Sequence, residues 1–125
     1  MAVTTSSLMV RKGGVKTSIT ALAGGATPSA AANTLDAINI VTVVASDGDS
    51  VILPAGCTTG DMVWAINQDS AQDIHVFPPT GGTIQGGTAT TGDIAVGQTQ
   101  AAIFVCTNDT GLTWFGIYGA VFVPA

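Results

Sequence analysis

His75 is the only imidazole in the chain, and it stands in the stretch IHVFPPTGGTIQGG, Ile74 to Gly87, beside two prolines and four glycines. A histidine in a glycine-rich loop suggests acid–base work or activation of a nucleophile, and either chemistry needs a partner group at hydrogen-bond distance. The thiols of Cys57 and Cys106 are the candidates. Neither lies at a helix start or in a basic setting that would lower its pKa, so neither reads as a reactive thiolate. The alternation Ile74, His75, Val76, Phe77 places His75 on one strand face with Phe77. That pattern assigns His75 to packing or to a subunit contact, and the sequence names no catalytic residue.

The other chemical candidates fare no better. Cys57 and Cys106 show neither a CxxC spacing nor a neighbouring histidine, so no metal set forms around them; two buried thiols and a disulfide both fit. In DGDS, Asp47, Asp49 and Ser50 offer oxygens to a calcium ion. A full calcium loop needs further ligands and a closing glutamate, and the chain contains no Glu. TGGTIQGG lacks the GK[ST] ending of a phosphate loop and no helix follows it. Its glycines read as backbone positions with positive φ. No cofactor and no metal are expected.

Composition points to assembly instead. Charged residues are 9% of the 125 residues and hydrophobic ones 46%, against a usual charged share of about 25%. A single domain of this length has too few charges to clothe its surface, which implies contact with other subunits. All the basic charge, Arg11, Lys12 and Lys16, lies near the start, and the eight Asp follow it in a body without Lys or Arg. Such an acidic body excludes nucleic acid as a partner, because nothing replaces the phosphate counterions. The basic patch suits an acidic protein surface or an ordinary solvated segment. No run approaches the ~18 apolar residues of a membrane span, and TSITALAGGATPS is too polar and broken for a signal peptide. No membrane partner is expected.

Residues 1–36, rich in Ser, Thr, Ala and Gly, read as an N-terminal arm and linker, with extended segments at Leu8–Val10 and Val15–Ala21 and one helical turn through PSAAAN. From Ile38 onward, short β-rich runs alternate with turns, and residues 37–125 read as an all-β sandwich domain. The predicted strands are Ile38–Ala45, Ser50–Leu53, Met62–Asn67, Asp73–Phe77, Ile94–Val96, Gln100–Cys106, Thr113–Tyr118 and Ala120–Val123. In MVWAI, AAIFVC and WFGIY both strand faces are apolar. Parallel sheets acquire two buried faces from covering helices, and this chain has no helical pattern to spare. The second face must be covered by another sheet, by the arm or by another subunit. Trp64, Trp114, Tyr118 and the four Phe each lie in an apolar run, which favours core or interface over a carbohydrate platform.

The order of DSVILPAG, GDMVWAIN, IHVFPPTGGTIQGG, GQTQAAIFVC and LTWFGIYG resembles a pattern in small bacteriophage virion proteins: capsid decoration (cement) proteins, head fibres and related fibre modules. The likeness covers about residues 48 to 118; residues 1–36 match no motif of that pattern. It implies a structural role without catalysis, in trimers seated where capsid subunits meet, helped by an arm. The expectation is therefore an oligomeric all-β sandwich, of jelly-roll or immunoglobulin-like type with an extended N-terminal arm, on the exterior of a virion assembled in the host cytoplasm. Its partners would be the major capsid protein and further copies of itself. Leu8, Val10, Arg11, Lys12, Val15 and Lys16 are the expected capsid contacts. Trp64, His75, Phe77, Ile84, Trp114 and Tyr118 are the expected core or subunit contacts. A tail-fibre or baseplate module, and a carbohydrate-binding domain on the virion surface, are the alternatives.

Overall fold

The computed structural model describes residues 14–117 apart from Gly25 and Ala31. Among them the regular structure is β-strand throughout: β1 (Val15–Thr20), β2 (Asn33–Thr34), β3 (Ile38–Val43), β4 (Asp49–Ile52), β5 (Met62–Asn67), β6 (Ile74–Phe77), β7 (Thr83–Ile84), β8 (Ile94–Val96), β9 (Ala101–Cys106) and β10 (Thr113–Ile117). They form a six-stranded sheet ordered β1-β3-β5-β9-β10-β7 and a four-stranded sheet ordered β2-β4-β6-β8. The all-β expectation holds, with two sheets.

From β1 to β6 the chain alternates between the sheets, odd strands entering the larger and even strands the smaller. Each return to a sheet therefore passes through the other one, and β1, β3 and β5 lie parallel, as do β2, β4 and β6. A parallel pair normally needs a long crossover, most often a helix. Here a strand of the opposite sheet serves as the crossover. The direction then reverses: β8 runs antiparallel to β6, β9 to β5 and β10 to β9, while β7 lies parallel to β10. Jelly rolls and immunoglobulin sandwiches are antiparallel, whereas five of these eight pairings are parallel.

One apolar cluster joins the two sheets. Val41, Val63, Ala65, Phe104, Cys106 and Trp114 enter it from the larger sheet, and Val51, Ile74, Val76 and Val96 from the smaller. Full burial of a Val, Ile or Phe side chain contributes about 1.5–3 kcal/mol, so strict alternation on β5 and β9 follows from the core's demand for every second residue. Two asparagines lie inside. Asn39 donates Nδ2 to the Asp36 and Trp64 carbonyls and accepts from the Asp36 N–H through Oδ1. Asn67, at the end of β5, donates Nδ2 to the Gln72, Val96 and Gly97 carbonyls and accepts from the Asp69 N–H. It thereby ties the larger sheet to the end of β8.

The described part of residues 1–36 supplies β1 to one sheet and β2 to the other. In the stretch PSAAAN, Ala32 donates to the Ser29 carbonyl, and Ala31 between them lies outside the described residues. The segments Leu8–Val10 and Ala120–Val123 lie outside the described residues.

Candidate interaction surface: the outer face of the six-stranded sheet

With Val63, Ala65 and Asn67 turned inward, β5 directs Met62, Trp64 and Ile66 outward. On β9 the same alternation turns Ala101, Ile103 and Val105 outward, and on β10 Thr113, Phe115 and Ile117. Register then aligns them. Val15, Ile38, Trp64, Ile103 and Ile117 form one row across five strands. Met62, Val105 and Phe115 form a second row, and Ile40, Ile66 and Ala101 a third. None of these side chains is charged. Val15, Phe115 and Ile117 at the flanks are 60%, 54% and 63% exposed, and the Ile, Met and Trp side chains between them are partly buried.

Trp64 occupies the middle of the longest row. Its Nε1 is shielded from solvent and meets no acceptor among the described residues. The other indole differs: Trp114 lies in the core and donates Nε1 to the Gly111 carbonyl at 2.9 Å. At one end of the face Ile66, Gln68, Thr99, Gln100 and Ala101 border a depression of about 390 Å³. Amide and hydroxyl groups thus rim the apolar rows on that side.

His75 lies on the other sheet. Its Nδ1 is 2.6 Å from Oδ2 of Asp93, and its ring lies 6.4 Å from that of Phe77, on the face the alternation predicts. Gly48 packs on the imidazole, since a Cβ there would sit 3.6 Å from Cε1. Register sets Ser50 opposite His75, so Ser50, His75 and Asp93 line up on one side of the smaller sheet. The serine is fully buried; it donates Oγ to the Leu22 carbonyl and accepts from the Ser29 N–H. Its proton is committed and its oxygen is closed to solvent, so this row offers no accessible nucleophile. Cys57 donates to the Pro54 carbonyl and Cys106 to the Asn108 carbonyl, both buried. Burial pushes the Cys106 thiol pKa above its ordinary value.

The DGDS turn spends its carboxylates on backbone N–H groups. Asp49 accepts from the Ala45 and Ser46 N–H groups, and Asp47 from that of Asp73. Among the described residues no cluster of His, Cys and Asp has the makings of a metal site. Phe77, Ile84 and Trp114 are buried. Of the expected capsid contacts, Val15 lies on the outer face and Lys16 donates Nζ to the Thr34 carbonyl at 2.6 Å. Leu8, Val10, Arg11, Lys12 and Tyr118 lie outside the described residues. Sequence reasoning pointed to Trp64 and, among the four Phe, to Phe115, but not to Ile38, Ile40, Ile103 or Ile117; the signal was the doubly apolar strand pattern, and only register turns it into a surface.

No family model matches this chain, and no curated protein and no solved structure matches it.

Proposed function

We propose that the chain is a structural subunit of a bacteriophage virion, a capsid decoration or cement protein that works as a homo-oligomer, a trimer on the sequence resemblance. The observation that carries this reading is the uncharged apolar face spanning five strands of the larger sheet, a surface suited to protein contact. The two sheets enclose one core in the manner of a sandwich, and the parallel winding weighs against the jelly-roll and immunoglobulin variants. The basic residues Arg11, Lys12 and Lys16, with Leu8 and Val10, would grip the major capsid protein on the exterior of a head assembled in the host cytoplasm, and Val15 belongs to the apolar face. A subunit bridging two shell subunits acts as a cement, because its contacts must be lost before they separate.

The test is co-sedimentation with capsids built from the major capsid protein of the same virus. The full chain should bind and raise the temperature at which the capsids disrupt. A chain lacking residues 1–13 should keep its β-sheet spectrum and lose binding. Failure of the full chain to bind would overturn the reading.

A further inference from the structure

We infer that the outer face of the six-stranded sheet is a homotypic contact, occupied by the same face of another copy of this chain, with Trp64 at its centre. The inference rests on the assembly reading above and names the partner of that surface. Four observations converge on it.

The face is large enough. At the strand and residue spacings of a sheet, the three rows cover roughly 360 Å² of flat area, and side-chain relief brings two copies to the order of 1,000 Å², where specific interfaces begin. The face is also uncharged in all three rows. A charged partner finds no counter-charge on it, whereas a second copy presents a surface of the same chemistry and the same row spacing.

Among the described residues the strand edges, by contrast, are short or irregular, and beyond β7 the edge of β10 is capped at Gly116, whose N–H donates to Gln85 Oε1. β1 is broken by register shifts, with Ser18 at φ 56. At the other edges β2 and β7 have two residues each and β8 three. Short and bulged edges disfavour strand addition, which leaves the face as the route. Finally, Val15, Phe115 and Ile117 leave large apolar side chains more than half exposed at the flanks of the face, and Trp64 lies at the middle of the longest row. Two copies would meet as stacked layers and three would close a prism about an axis; both bury Trp64.

Sedimentation of the full chain over a range of concentrations tests this. Wild type should associate. Ile117→Lys, at an exposed site where folding tolerates charge, should weaken association by at least about tenfold with an unchanged circular-dichroism spectrum. Ile117→Asp should do the same, and both variants should keep the wild-type urea midpoint, which separates a lost contact from misfolding. A wild-type chain that stays monomeric, or variants that associate as well as wild type, would overturn the inference. A monomer that still binds capsids refutes the homotypic contact and leaves the decoration reading intact; an oligomer that binds no capsid does the reverse.

Discussion

Replacing Asn67 by Ala should cost about 2–4 kcal/mol of stability, a figure that follows from its bonds. The side chain satisfies the Val96 carbonyl in a buried setting at 3.2 Å, the Gln72 and Gly97 carbonyls nearer the surface, and the Asp69 N–H at 3.0 Å. Water can replace the amide at Gln72 and Gly97. It cannot readily reach Val96, so the buried bond lost there costs about 1–3 kcal/mol, and the lost Asp69 bond adds about 1 kcal/mol. Such a loss is a large fraction of the ~5–15 kcal/mol that holds a domain together. Urea unfolding followed by tryptophan fluorescence measures it as a lower midpoint at constant m-value. Asn67→Asp should fare worse, because it turns an acceptor toward three carbonyls. If Asn67→Ala lost less than about 1 kcal/mol, the claim that this amide ties the two sheets together would be wrong.

Further consequences can be measured separately. Gly111→Ala should be severely destabilising, because the new Cβ would lie 2.7 Å from the Cys57 nitrogen at φ +76; Gly86→Ala, at φ +73 with nothing within 4 Å, should cost only the about 1–2 kcal/mol of left-handed strain, and thermal melts compare the two. Backbone hydrogen bonds from Ala71 and then Gln72 hold the Asp69 carboxyl below its ordinary pKa. Its contribution is therefore complete above the unfolded value of about 3.9 and lost as pH falls through the folded one. Asp69→Asn keeps an acceptor but cannot titrate, so its stability should fall less steeply than wild type on acidification below about pH 4. The buried Cys106 thiol, with its raised pKa, should resist a thiol-exchange reagent at neutral pH until the chain is denatured.

The residues that alternate against the core were legible in the sequence. β5 and β8 have the predicted bounds, and β3, β4, β6 and β9 differ by a residue or two at their ends. The proline-glycine corner was legible as well. Phe77 ends β6, Gly81 takes φ +80, Ile84 re-enters the core and Gly86 takes φ +73. Gly82 serves another purpose than positive φ: a Cβ there would sit 2.8 Å from the Leu112 carbonyl. β2 and β7 escaped because two-residue strands carry no alternation. Strand direction escaped for a deeper reason. Apolar alternation reports which side of a strand is buried and carries no sign for the direction of its neighbour, and helical crossovers, the usual marker of parallel pairing, were not needed here. The candidate surface was half legible: MVWAI announced a second apolar face, but the alignment of Trp64 with Ile38 and Ile103 is a fact of register.

The alternation of β1 to β6 between the sheets also sets the order in which the molecule can form. Val15 meets Ile38, Asn33 meets Val51 and Ile38 meets Trp64, so each parallel contact must close a long loop before it gains anything, and such topologies fold slowly. β9 and β10, joined by the tight turn at Asn108–Gly111, are the neighbours in chain and in sheet that can pair early. On a chain emerging from the ribosome, β5 waits for β9 before its second edge is paired. The part of the apolar face carried by β5 thus stays unsheltered until β9 arrives, and slower synthesis or a cut between β8 and β9 should leave an aggregating fragment rather than a smaller folded one.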